Sequence, residues 1–338
     1  MPLDSDVIVD RRRIRRKLTF WRVATVLIVA AAVVGGAFVF TGDRAALTGR
    51  PGGSIARITI EGLIRSSRQR VEALDRLAGS NAKAVIVHLN SPGGTVAGSE
   101  ELYHSLMRIK AKKPMVVVVD GMAASGGYIA AMASDRIVAQ QSALIGSIGV
   151  IFQYPNFSEL LKTVGIAVES IKSSPLKASP NGFEPTSPEA RAAVAAVVMD
   201  SYDWFRNLVR ERRKLDPALL ARVSDGRVFT GRQALELKLI DALGDEQAAV
   251  DWLAKTYPCS GESSNAATCI DPKTPVRDYR LSPRLGDLPF LHVAMIGLLD
   301  AIGLNSWAQS FKTWGAVQAV ERLNLDGLLA LWHPPTTN

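Results

Sequence analysis

A serine followed by two glycines, Ser125-Gly126-Gly127, closes the stretch Val117-Val118-Val119-Asp120-Gly121-Met122-Ala123-Ala124. The β-branched run reads as a buried strand and the Ser-Gly-Gly as a tight turn. The Ala-rich segment after it reads as a helix opening on Gly126. A serine at such a turn projects its hydroxyl at the mouth of a sheet. Amides behind it, free of Cβ crowding, can face a developing oxyanion. This is the chemistry of a nucleophile, and a nucleophilic serine needs a base.

The chain has four histidines, His88, His104, His292 and His333. None stands in a loop rich in other polar signals, so each reads as a packing or surface residue. The Gly-x-Ser-x-Gly elbow is also missing, because position 123 is Ala. A Ser-His-Asp triad is therefore weakly supported. The other common base is lysine. It must be neutral near pH 7, about 4 kcal/mol from its ordinary state, which burial away from carboxylates can supply. The stretch Ser170-Ile171-Lys172-Ser173-Ser174-Pro175-Leu176-Lys177-Ala178-Ser179-Pro180 has two lysines and no acid before Glu184. By composition Lys172 and Lys177 are equal candidates. A second glycine turn, Asn90-Ser91-Pro92-Gly93-Gly94, follows another apolar strand pattern. If the two strands are adjacent and parallel, both turns lie at one carboxyl edge, where open α/β sheets place their sites. The Gly94 and Gly126 amides could then converge on one oxyanion.

These residues need a scaffold, and the surrounding pattern alternates strands and helices. Strands are expected over 55–63, 84–89, 115–119 and 136–139. Helices are expected over 68–77, 98–110, 126–133 and 188–211, the last with Val194, Val198, Tyr202, Phe205 and Val209 as buried positions. A further helix starts near Thr230, its cap. The pattern is that of an α/β body with largely parallel strands and right-handed crossovers. Residues 256–288 are Pro-, Ser- and Gly-rich, and 289–332 become apolar again. In the first of these segments, Cys259 and Cys269 are the only cysteines, and outside a reducing compartment they would close a short disulfide loop.

The net charge of +8 is concentrated at the start, where Arg11, Arg12, Arg13, Arg15, Arg16, Lys17 and Arg22 face three aspartates. No aromatic-basic interleaving accompanies it, so nucleic acid is not an expected partner. An uncharged run over 23–40 follows. Its length, and the Phe38-Val39-Phe40 end, favour an uncleaved membrane anchor over 23–41 rather than a signal peptide. Tail 1–22, anchor 23–41, linker 42–53, body 54–255 and extension 256–338 are the expected divisions. On that reading the tail is cytoplasmic and the body faces the other side of the membrane.

The motifs quoted above, with Ala133-Ser134-Asp135-Arg136-Ile137, Ile145-Gly146-Ser147-Ile148-Gly149-Val150 and Gly226-Arg227-Val228-Phe229-Thr230-Gly231, resemble the bacterial signal peptide peptidase A (SppA) family. These are membrane-anchored Ser-Lys peptidases, and the likeness covers about residues 54–255. The resemblance implies a Clp protease/crotonase-type β-β-α superhelix. It implies Ser125 as nucleophile, Lys177 rather than Lys172 as general base, and Ser147 as the hydroxyl that orients the lysine. Gly94 and Gly126 would be the oxyanion donors, with no metal or cofactor. It also implies a ring-shaped homo-oligomer in which serine and lysine come from neighbouring protomers. Cleaved signal peptides and other unstructured apolar peptides would be the substrates, at the bacterial inner membrane with a periplasmic catalytic domain. A crotonase-like acyl-CoA enzyme and a non-catalytic membrane scaffold are the other classes the same fold admits. Residues 256–338 match nothing in the family. They could pack on the ring, touch the membrane or occupy the binding groove, and rim packing is the simplest of these.

Overall fold

The computed structural model describes residues 53–259 and 269–281, the short strand Leu329–Leu331, and Trp21. Three long strands form its centre: β1 (Ile55–Ile64), β2 (Ala84–Thr95) and β3 (Met115–Ala124), paired in parallel. Their apolar runs alternate between two faces. Val85, Val87, Leu89, Val117 and Val119 enter one core; Ala84, Ile86, Val116 and Val118 enter the other. A parallel sheet covered on both sides requires such near-continuous hydrophobic strands. The first face is covered by α1 (Arg68–Ala78), α2 (Val96–Lys110) and α3 (Gly126–Ala131). Leu74, Leu77, Leu102, Leu106 and Ile109 supply the apolar stripes and are wholly buried. Ser67 and Thr95 cap α1 and α2 by accepting from Arg70 and Gly98 N–H groups.

The sheet continues through β4 (Arg136–Ala139) and β5 (Leu144–Gly146), both parallel to β3, and β6 (Val228–Thr230), antiparallel to β5. The edges carry β7 (Ala242–Leu243), on β4, and β8 (Val276–Asp278), on β1. Finally β9 (Leu329–Leu331) lies antiparallel on the end of β2. Between β5 and β6 run α4 (Ser158–Thr163), α5 (Pro188–Arg213) and α6 (Pro217–Val223). Then α7 (Gly231–Glu236) opens on a capping box between Thr230 and Gln233, and α8 (Glu246–Thr256) covers the second face. Cys259 and Cys269 are disulfide-bonded.

Two expectations change. Strands β2 and β3 run on past Leu89 and Val119 to Thr95 and Ala124, because the extended Asn-Ser-Pro-Gly-Gly and Asp-Gly-Met-Ala-Ala segments still find partners on neighbouring strands. On α5, only Phe205 and Val209 of the five named positions are buried; the other three are partly exposed. The membrane placement is also corrected. Among the described residues no helix is long and apolar enough to cross a membrane. The 26-residue α5 is long enough, but Glu189, Arg191, Asp200, Asp203 and its Arg-rich last turn exclude it. The run over 23–40, on which the anchor and the periplasmic assignment rested, lies outside the described residues.

Candidate functional site

Strand β3 ends one residue before Ser125, and α3 begins one residue after it. The serine occupies the joint with φ 52° and ψ −116°. An L-residue there is strained by roughly 1–3 kcal/mol, and such residues cluster where function needs a side chain aimed out of a turn. Three backbone bonds hold the joint. Ser125 N–H donates to the Gly146 carbonyl at 2.8 Å, and its own carbonyl accepts from Tyr128 and Ile129 N–H. The Ser125 hydroxyl donates to the Gly149 carbonyl at a long 3.4 Å. Beneath it Tyr128 is wholly buried and its hydroxyl donates to the Leu239 carbonyl at 2.7 Å, which ties α3 to the segment after α7. Burial pushes that phenol's pKa up, so it is a fixed donor and not an acid.

Parallel pairing of Ala124 with Gly146 brings the next residues, Ser125 and Ser147, side by side. Ser147 also has positive φ, 50°, and its N–H donates to the Arg227 carbonyl at 2.8 Å. The two serines are 1% and 8% exposed. As the first residue of α3, Gly126 has an N–H with no intrahelical acceptor. The other glycine turn sits against this one. Ser91 pairs with Ala123, and a Cβ on Gly127 would stand 2.7 Å from the Ser91 carbonyl oxygen. At Gly94 a Cβ would come within 1.8 Å of the Ile64 carbonyl oxygen, so only glycine lets β2 lie this close to β1. Ser125, Gly126, Ser147 and the Gly93-Gly94 strand are thus gathered at one carboxyl edge.

The bases are placed differently. His88 has both ring nitrogens engaged, Nδ1 by Asp120 at 2.9 Å and Nε2 by Glu246 at 2.8 Å, in a cluster completed by Arg57. His104 lies exposed beside Glu100, while His292 and His333 lie outside the described residues. Lys172 donates to Glu184 at 2.6 Å and to Ser179 at 2.9 Å, so its side chain is engaged within its own loop. That hydrogen bond holds the Glu184 carboxyl below the usual carboxylate range. Lys177 is exposed, and its ammonium makes no hydrogen bond or ion pair among the described residues, to Ser125 included. The Gly149 carbonyl is the one part of this arrangement with no signal in the sequence. The acceptor it provides depends on how the chain turns after β5, which residue types do not reveal.

A model of peptidase family S49 matches residues 107–258, and a Clp protease model matches residues 61–145. A protein named as a protease in Synechocystis sp. is 36% identical over 225 residues, covering 66% of this chain and 81% of that one. The chain belongs to peptidase family S49. Protease 4 of Salmonella typhi is 36% identical over 169 residues, covering 50% of this chain and 27% of that protein. The chloroplastic serine protease SPPA of Arabidopsis thaliana is 30% identical over 207 residues, covering 60% and 31%. This S49 chain therefore spans most of the first relative and under a third of each of the other two. The S49 match includes the Ser125 turn, Ser147 and Lys177, while Gly94 falls within the Clp protease match.

Proposed function

We propose that this chain is a serine endopeptidase in which Ser125 attacks the scissile carbonyl of an extended, apolar peptide such as a cleaved signal peptide. Lys177 of a neighbouring protomer takes the serine proton, and Ser147 orients the lysine. The Gly94 and Gly126 amides receive the oxyanion of the tetrahedral intermediate. Collapse of that intermediate passes the proton to the departing amine and leaves an acyl-enzyme, which a lysine-activated water hydrolyses. The observation that carries the reading is the strained, buried Ser125 at a strand-to-helix joint, beside a second positive-φ serine and next to two glycine turns.

Sharing of the site is supported by two features of the single chain. Lys177 is solvated, whereas a neutral base needs burial. The segment around it is also unusually apolar for a free surface. Of the fourteen exposed large hydrophobic residues described, eleven lie between Ile151 and Met199, with Ile171 at 106% exposure. Between the start of that segment and α5 lies a cavity of about 300 Å³, lined by Val150, Phe152, Val194 and Val198 among others. Apolar surface on this scale marks an interface. A closed homo-oligomer, such as a ring, would cover it and bury the lysine together.

The test is covalent. A peptide fluorophosphonate should label the chain once, at Ser125, and block cleavage of an unstructured apolar peptide. Ser125→Ala should lower the cleavage rate by about a thousandfold or more with an unchanged thermal melt. Label on another residue, or cleavage that survives in Ser125→Ala, contradicts the reading.

A further inference from the structure

Ser91 stands between the two glycine turns, and nothing in the proposed chemistry uses it. It is wholly buried. The register of β1 against β2 shifts beside it. Glu61 is opposite Asn90, but Leu63 is opposite Gly93, so Ser91 and Pro92 together face the single residue Gly62. This is a β-bulge, which re-aims the strand that carries the extra residue. Pro92 brings no N–H to it. The Ser91 hydroxyl bridges the bulge instead. It donates to the Gly62 carbonyl at 2.6 Å and accepts from the Gly93 N–H at 3.1 Å. The Gly93 carbonyl, 3.5 Å away, is too distant to compete for the proton. Gly62 and Gly93 both have positive φ, 70° and 106°, so the hydroxyl ties together two turns of backbone that only glycine adopts readily.

Ser91 also reaches the second glycine turn. Across its other edge it pairs with Ala123, on the strand that ends in the Ser125 joint. A Cβ on Gly127 would stand 2.7 Å from the Ser91 carbonyl oxygen and 3.3 Å from its Cβ, so Ser91 is seated against the first turn of α3. One residue thus touches both the strand that leads to Gly94 and the helix that opens on Gly126. We infer that Ser91 is a positioning residue for the oxyanion site. Its hydroxyl fixes the Gly93–Gly94 peptide, and its backbone sets the spacing between that peptide and α3. The inference rests on the peptidase reading for the use of the two amides; the bonds at the bulge do not depend on it. Amides stabilise an oxyanion only from about 2.7–3.1 Å. Loss of a hydroxyl that touches no substrate should therefore weaken the transition state and leave ground-state binding alone.

The experiment compares Ser91→Ala with Ser105→Ala in the full chain. Ser105 is also buried, and its hydroxyl donates to the Glu101 carbonyl at 2.8 Å on α2, so this control loses a comparable bond elsewhere. Ser91→Cys keeps a weaker donor in place and supplies a second variant at the bulge. The readouts are kcat and KM for an unstructured apolar peptide, inhibition by a peptide aldehyde, which forms a tetrahedral adduct on a nucleophilic serine, and amide exchange at Gly93. Ser91→Ala should lower kcat about tenfold or more with KM within about twofold. It should weaken the aldehyde by the same factor and speed exchange at Gly93 about tenfold. Ser91→Cys should lie between Ser91→Ala and the parent chain. Ser105→Ala should hold kcat and aldehyde inhibition within about twofold, whatever its thermal melt. Unchanged kcat in both Ser91 variants, a rise in KM alone, or an equal loss of kcat in Ser105→Ala overturns the inference. Unchanged exchange at Gly93 overturns it as well. Failure of the peptidase reading shows separately, as cleavage that survives Ser125→Ala, and exchange at Gly93 still reads what Ser91 holds.

Discussion

Two stretches of this chain use apolar residues in opposite ways. Between Ala84 and Ile148 they are spent on the interior: Val85, Val117, Tyr128 and Ile145 are wholly buried, and the strands that carry them deliver Gly94, Ser125 and Ser147 to one edge. Between Ile151 and Met199 they face outward, as Phe157, Leu160, Val164, Ile171 and Val197 do. The first stretch is complete within one chain, with its strained serines held by backbone bonds to Gly146 and Arg227. The second makes few demands on its own core, and it carries both candidate lysines. Under the proposed function the contrast separates nucleophile from base: the chain holds the serine side of the site by its own backbone bonds, and the lysine side is to be finished by another copy.

The sharpest way to break the contrast is at the lysines. Lys177→Ala should lower peptide cleavage by about a thousandfold, as loss of a general base does when the nucleophile is weak without it. Lys172→Ala should lower it less than about tenfold, since that lysine bonds Glu184 and Ser179 within its own loop. A reversal of the two would move the base to Lys172.

Next in size is the outward face. Ile171→Asp and Val197→Asp place charge on residues that are 106% and 52% exposed. Each should leave the thermal melt of the isolated fold within about 0.5 kcal/mol of wild type. Each should also shift the mass in solution toward monomer and cut activity about tenfold or more, because a buried unpaired carboxylate is excluded from an interface. Light scattering at matched concentration reads the first effect. An unchanged assembly with full activity would mean this face meets nothing that catalysis needs.

The smallest effect belongs to the interior stretch. Glu246 accepts from Arg57 at 2.5 Å and from His88, and the Arg57 hydrogen bond chiefly holds its carboxyl below the ordinary range. A carboxyl depressed in the folded state stabilises above its unfolded value of about 4.3 and loses that contribution as pH falls through its folded value. The pair is partly solvated, so its share is below about 1 kcal/mol. Glu246→Gln should lower the melting temperature at pH 7 by no more than about 2–4 °C and flatten the decline below pH 4. An unaltered acid limb in the variant would remove Glu246 from the account.

What could be read from the sequence follows the same division. The buried stretch was legible because its signals are local: β-branched runs, the Ser-Gly-Gly joint, and stripes such as Leu102, Leu106 and Ile109. Its strand ends are less legible because the Pro and Gly of 90–95 and the Gly of 120–124 look like turns, while pairing with β1 and β5 keeps them extended. The outward stretch was harder. Val194 and Val198 have the spacing of a buried face, yet in one chain they line only a cavity wall. Lys172 and Lys177 are indistinguishable by composition; the ion pair to Glu184, twelve residues on, is what separates them. The seating of β9 on β2 joins positions more than two hundred residues apart, and no periodicity announces it.

The claim that the site is divided between copies is tested most directly by mixing two dead chains. Ser125→Ala and Lys177→Ala proteins, each inactive alone, are dissociated together, reassembled at equal ratio and assayed for peptide cleavage. Random assembly would pair an intact Ser125 with a neighbour's intact Lys177 at about a quarter of the sites. Activity near that fraction of wild type is the predicted result. No activity at any mixing ratio, with mixed oligomers shown to form, would place serine and lysine within one chain and contradict the account.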